Sequence, residues 1–136
     1  ETEVKIFVDT NVLVSGIFFT GPPHRILQAW KDGKLQIVLS ADIIDEYLRV
    51  SEALSGKFAG VDAQPILELL IKKAEIVQPK RLPEPVCDDP DDDKFLAAAI
   101  SSGAKIIISG DRHLLTVSGY QSISVLRPKT FEERYL

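Results

Sequence analysis

Short β-branched and aromatic runs alternate with stretches of helical periodicity along this chain, and that alternation restricts the fold more than any single residue does. Val4–Val8, Leu35–Leu39, Glu75–Val77, Lys105–Ser109 and Ser122–Leu126 read as five strands. Pro22-Pro23 suits the first turn of a helix that carries Ile26, Leu27 and Trp30 and stops near Asp32-Gly33. Ser40 is placed to cap a helix with Ile43, Ile44, Tyr47, Leu48 and Leu54 on one broad stripe. Pro65 opens another, through Ile66, Leu67, Leu69, Leu70 and Ile71. Asp91 to Ser102 reads as a helix whose acidic first turn suits the helix dipole, with Gly103 as its stop. Thr130 and Glu133 form a capping box for a short terminal helix. Gly16 and Gly21 interrupt the apolar stretch Asn11–Phe19, while Gly56–Asp62 and the four-proline segment Gln78–Pro90 read as loops. Ile37–Leu39 and Ile106–Ile108 are apolar at every position, as in a parallel strand buried on both faces. The expected fold is α/β, with a mostly parallel sheet covered on both sides.

At 136 residues the chain suits one domain, 1–136, large enough to fold on its own core. Cys87 is the sole cysteine, which excludes an internal disulfide and a cysteine-rich zinc site. It is read as a small buried thiol, and a reducing, cytoplasmic setting is expected. No apolar run reaches the ~18 residues of a membrane span, and no basic-then-apolar leader opens the sequence. The net charge of −4 argues against a simple basic nucleic-acid-binding module. It is compatible with a nuclease, because divalent cations in a carboxylate-rich pocket make it attractive to phosphate.

Four acids sit where such a fold places chemistry. Asp9 ends the first strand, Asp111 lies just past the fourth, Glu46 is in the helix after the second, and Asp92 is in the first turn of the helix before the fourth. Ligands of open α/β sheets bind beyond the carboxyl ends of the strands, where strand order reverses. If the first and fourth strands are neighbours, Asp9 and Asp111 face one another there. Two like charges ~4 Å apart repel by roughly 4 kcal/mol at an effective dielectric near 20, so protons or metal ions must relieve the cluster. Oxygen donors without paired His or Cys favour Mg²⁺ or Mn²⁺, which assist phosphodiester hydrolysis. Glu84–Asp93 holds six acids in ten residues, and most of them read as solvated loop and helix-start charge.

Four segments in order carry a family resemblance. Ile6-Phe7-Val8-Asp9-Thr10-Asn11-Val12-Leu13, Ser40-Ala41-Asp42-Ile43-Ile44-Asp45-Glu46, Asp89-Pro90-Asp91-Asp92-Asp93-Lys94-Phe95-Leu96 and Ile107-Ile108-Ser109-Gly110-Asp111 with Leu114-Leu115 resemble the motifs of the PIN-domain family. The resemblance is to its small prokaryotic VapC-like members described as toxin ribonucleases. It implies a three-layer α/β/α sandwich with a five-stranded parallel sheet. It also implies Mg²⁺- or Mn²⁺-dependent cleavage of single-stranded RNA, with Asp9, Glu46, Asp92 and Asp111 as catalytic acids and metal ligands. Ala99 and Gly103 set the spacing that selects Asp92 from the acidic run, with Asp89 or Asp91 as outer contacts. Asn11 and Ser109 resemble polar supports that hydrogen-bond the acids or metal-bound water, and Asp93 is a further support. The resemblance further implies a small antitoxin partner and a homodimer.

Lys94, Arg112 and Arg25 are candidates for phosphate contact. Lys80 and Arg81 are read as solubilising charge, His24 and His113 as structural or surface residues, and Trp30 as packing. Two other functions compete. A non-catalytic PIN-fold protein that binds RNA or a partner is expected to have lost an acid. A haloacid-dehalogenase-like phosphatase wants aspartate at Asn11 and again at Leu115, and has neither.

Overall fold

β-branched and aromatic side chains favour the pleated, enclosed surface of a sheet, and Val4–Val8 forms the central strand β1 on which the molecule is built. The computed structural model describes residues 4–58 and 60–136. After β1 come α1 (Thr10–Phe18), α2 (Pro22–Lys31), β2 (Leu35–Leu39), α3 (Ala41–Ser55), α4 (Gln64–Lys73) and β3 (Glu75–Ile76). The second half runs through α5 (Asp93–Ser102), β4 (Ile106–Ile108), α6 (Arg112–Thr116), β5 (Ser124–Leu126) and α7 (Pro128–Tyr135). All pairings are parallel and the strand order is β3-β2-β1-β4-β5. This is the expected three-layer architecture. Parallel crossovers are right-handed, so the helices preceding β3 cover one face and α5 and α6 the other. Consecutive residues Ile6, Phe7 and Val8, then Ile37, Val38 and Leu39, are buried, which only a doubly covered sheet explains.

The order reverses at β1, whose neighbours are β2 on one side and β4 on the other. Val8 pairs with Ile108, and the Asp9 amide donates to the Ile108 carbonyl at 2.9 Å. The strand ends that carry Asp9 and Asp111 are therefore adjacent, the condition the sequence left open.

Several local readings are corrected. Gly16 does not break the first apolar stretch: α1 runs through it, and a Cβ there would stand 2.7 Å from Leu27 Cδ1 and 2.8 Å from the Pro23 carbonyl oxygen. The glycine is what lets α1 and α2 cross so closely. The Thr130–Glu133 capping box does not form, because Pro128 already occupies the first turn of α7 and its N-cap, Arg127, makes no side-chain cap. The helix begins three residues earlier than a Thr130 cap would start it and leaves Thr130 inside it. β5 starts at Ser124 instead of Ser122, since Gln121 and Ser122 have positive φ values of 48° and 67° that no strand accepts. α6, directly after Asp111, was not foreseen.

Candidate functional site

Asp9 emerges from β1 as the N-cap of α1, and the Thr10 amide donates to its Oδ1 at 2.8 Å. Ser109, just past β4, donates its hydroxyl to Asp9 Oδ2 at 2.7 Å. The same Ser109 Oγ accepts the Asp111 amide at 2.9 Å. One buried serine thus ties the acid of the first strand to the backbone of the acid after the fourth. Asp9 is 5% exposed, and burial pushes its carboxyl above the usual range. The bonds from Ser109 and Thr10 pull the other way, while Asp111 and Glu46 add to the rise.

Asp111 caps α6, with its Oδ1 accepting the His113 amide at 2.8 Å. Asp92 reaches the site from the other side, at the end of a single 3₁₀ turn, Pro90–Asp92, that opens into α5. It is 8% exposed, and its Oδ2 is buried without any hydrogen-bond partner. Burial, then the charges of Asp111 and Asp9, push its carboxyl up to about 6. Asp92 therefore lies close enough to Asp111 and Asp9, which arrive on other elements, for their charges to disfavour its ionised form.

Glu46 comes from α3, which Ser40 caps as expected. Both its oxygens are engaged: Oε2 accepts the Thr10 hydroxyl, and Oε1 receives the Lys94 ammonium at 2.7 Å. Lys94 stands in α5, two residues beyond Asp92. Tyr47, the next residue after Glu46, is fully enclosed and donates its hydroxyl to the Val8 carbonyl. Burial and the Asp9 and Glu46 charges hold its phenol well above the usual range, so it stays a neutral donor. Sequence reading treated Tyr47 as core and gave Thr10 no task. The signal for both was a polar atom on a residue adjoining a candidate acid.

The other candidates separate. Asn11 is exposed and makes no hydrogen bond to an acid; it lines a shallow cleft of about 340 Å³ with Asp111, Ser15 and Pro128. Asp93 does not face the acids. Its two oxygens accept the Val86 and Cys87 amides at 3.2 and 2.8 Å, so it braces the proline-rich loop. Asp89 accepts the Asp91 amide and shapes the 3₁₀ turn. Arg112 is exposed at the start of α6, beside Asp111. Arg25 is not brought to the site: it forms an ion pair with Glu132 of α7, in a cleft shared with Val4 at the opposite end of β1. Trp30 is core, and His24 hydrogen-bonds the Gly16 carbonyl at 3.0 Å. His113 lies 3.8 Å from Asp88. A second cleft, about 630 Å³, adjoins Lys94 and Asp93 and is walled by Lys80, Arg81 and the prolines of the loop.

Among the described residues, no three His, Cys, Asp or Glu side chains stand close enough together to hold a metal ion as they are. The donor chemistry nevertheless fits a hard cation, since every acid offers oxygen and the Asp92 Oδ2, near like charges, has no partner among the described residues. No helix among the described residues is long and apolar enough to cross a membrane.

Residues 5–113 match the model of the PIN-domain family. The chain is also 30% identical to an uncharacterized protein, MJ1680, of Methanocaldococcus jannaschii, over 98% of this chain and 92% of that one. The matched span contains Asp9, Glu46, Asp92 and Asp111, and the sheet has the family's strand order. This chain belongs to the PIN-domain family, whose members are generally nucleases.

Proposed function

We propose that this chain is a metal-dependent endoribonuclease that hydrolyses phosphodiester bonds of single-stranded RNA, with Asp9, Glu46, Asp92 and Asp111 as its acidic centre. The observation that carries the reading is Asp92, a buried carboxylate with an orphaned oxygen, raised to about 6 by two neighbouring aspartates. A group left in that state is costly unless a cation joins it. Asp9, Asp92 and Asp111 are the residues that would hold Mg²⁺ or Mn²⁺, with Glu46 beside them. Bound there, the ion supplies the charge that makes a water nucleophilic and stabilises the leaving oxygen.

The chain's own residues supply orientation. Ser109 and the Thr10 amide fix the Asp9 carboxylate, and Thr10 and Lys94 fix Glu46. Tyr47 stitches α3 to the end of β1, holding Glu46 over the strand. One cleft runs along Asn11 and Asp111, and another adjoins Lys94, the partner of Glu46, with Lys80 and Arg81 on its wall. A polymer that occupies both clefts suits an internal cut.

A fluorescent single-stranded RNA incubated with the protein and Mn²⁺ is expected to be cleaved, and EDTA to stop the reaction. Asp9→Asn keeps an acceptor for the Thr10 amide and turns the Ser109 contact into one in which the new amide donates to the hydroxyl oxygen, so the fold is expected to survive while the rate falls by about 10²-fold or more. Cleavage by that variant at the wild-type rate sinks the site assignment. Wild-type protein that retains RNA without cutting it would favour the non-catalytic, RNA-binding alternative.

The toxin role is the finer part of the proposal and rests on the resemblance to small VapC-like proteins. It entails a small antitoxin whose basic side chain enters the acidic groove, and a homodimer. Co-expression with the neighbouring open reading frame, followed by co-purification and sedimentation, tests both. Growth arrest by the wild-type chain, but not by Asp9→Asn, tests the role itself.

A further inference from the structure

Among the described residues, Glu46 is the one acid of the centre that already has a cation. The Lys94 ammonium lies 2.7 Å from its Oε1, the Thr10 hydroxyl takes its Oε2, and the two charged side chains are only 17% and 19% exposed. The same ammonium sits 5.8 Å from the centre of the Phe95 ring, whose face favours a cation. Lys94 is held on a helix, directly after the turn that delivers Asp92, so its charge arrives with the fold. On the other side of the centre, Asp92 Oδ2 has no partner, and Asp111 has Oδ1 tied to the His113 amide with Oδ2 unengaged among the described residues.

An incoming divalent ion therefore meets two unequal halves. At Glu46 it must displace an ammonium, whereas the donors on Asp9, the Thr10 amide and the Ser109 hydroxyl, carry no charge. At Asp92 it displaces no protein group and relieves the repulsion of three aspartates. We infer that Lys94 is a resident cation of the acidic centre. It occupies the place beside Glu46, so the centre takes a single divalent ion on the Asp9, Asp92 and Asp111 side, and Glu46 is not a ligand of that ion. This rests on the metal-dependent reading above. Lys94, expected from sequence to contact phosphate, is then a positioning residue that neutralises Glu46, and the second cation of a paired-metal site is covalently part of the chain.

Mn²⁺ titration of the metal-free protein, followed by calorimetry and by the paramagnetic resonance of free Mn²⁺, tests this without reading activity. Wild type is expected to bind one ion per chain. Lys94→Met and Lys94→Gln, each checked for fold by circular dichroism, uncover Glu46. They are expected to bind a second ion, or the first about tenfold more tightly. Glu46→Gln/Lys94→Met removes the neutral pair together and is expected to return to one ion, with an affinity within about threefold of wild type. Asp92→Asn is expected to lose the ion. Two bound ions in wild type overturn the inference. So does a double variant as weak as Asp92→Asn, which would make Glu46 a ligand. So do Lys94 variants that bind one ion with wild-type affinity. Wild-type protein that binds no Mn²⁺ at millimolar concentration removes the metal-dependent reading itself, and this inference with it.

Discussion

Asp92 and Cys87 show how differently burial acts on two acids a few residues apart. Asp92 is enclosed among like charges with no partner for Oδ2, so its ionised form is destabilising in the metal-free protein. Asp92→Asn is expected to abolish cleavage and yet raise the metal-free Tm by a few degrees, corresponding to about 1 kcal/mol, in thermal melts in EDTA. Cys87 is buried, and that burial, with the nearby Asp93 charge, pushes its thiol up to about 12. An unfolded thiol ionises near 8.5. The group therefore supports the fold below that pH, and its contribution is lost as pH rises towards 12. At pH 8 the native thiol is expected to react with iodoacetamide at least about 100-fold more slowly than the same thiol in denaturant. A native rate equal to the denatured one would contradict its enclosure. Sequence alone identified Cys87 as a quiet thiol but not its dependence on Asp93, because the carboxylate that faces it comes from the far side of a loop.

At the scale of elements, the strands were legible because a doubly covered parallel strand must be apolar at every position, and Ile37–Leu39 and Ile106–Ile108 are. The N-caps of α1, α3 and α6 all come from polar residues at strand ends, and two of these caps, Asp9 and Asp111, are also site acids. Asp9 and Asp111 were readable from position for that reason. The errors fell where a contact distant in sequence overrides a local habit. Gly16 carries a helix-breaking reputation, but here the backbone of Pro23 and the side chain of Leu27 press against its α-hydrogens. Gly16→Ala is expected to destabilise the protein by about 1–3 kcal/mol, measured by urea unfolding, although alanine is the better helix former. An unchanged midpoint would mean that α1 and α2 can separate at no cost. Arg25 was read as a phosphate contact because charge was all that the sequence offered. Its helix faces α7, and Glu132 there takes its guanidinium.

For the molecule as a whole, the switch point between β1 and β4 accounts for the location of the site, and the pairing of those two strands is what no local pattern could reveal. Once β1 lies between β2 and β4, the acids of four separate segments have one place to meet. The net charge of −4 makes the surface a poor general binder of RNA. Lys80 and Arg81, which line the cleft beside Lys94, are then expected to matter for long substrates. Lys80→Ala/Arg81→Ala should raise KM severalfold on RNA that fills that cleft and leave kcat on a short oligonucleotide within about twofold. Equal KM values on long and short substrates would remove the cleft from the substrate path. The loop that forms this wall is pinned twice. The Lys80 amide donates to Ser101 Oγ at 3.2 Å, and the Val86 and Cys87 amides donate to Asp93. Residues 81–85 form an arch with both feet set on α5, the helix that also presents Lys94. Such an arch can change its length and its side chains while its footings stay put, so the wall of this cleft can be remade without moving Asp92 or Lys94 on the helix that carries it.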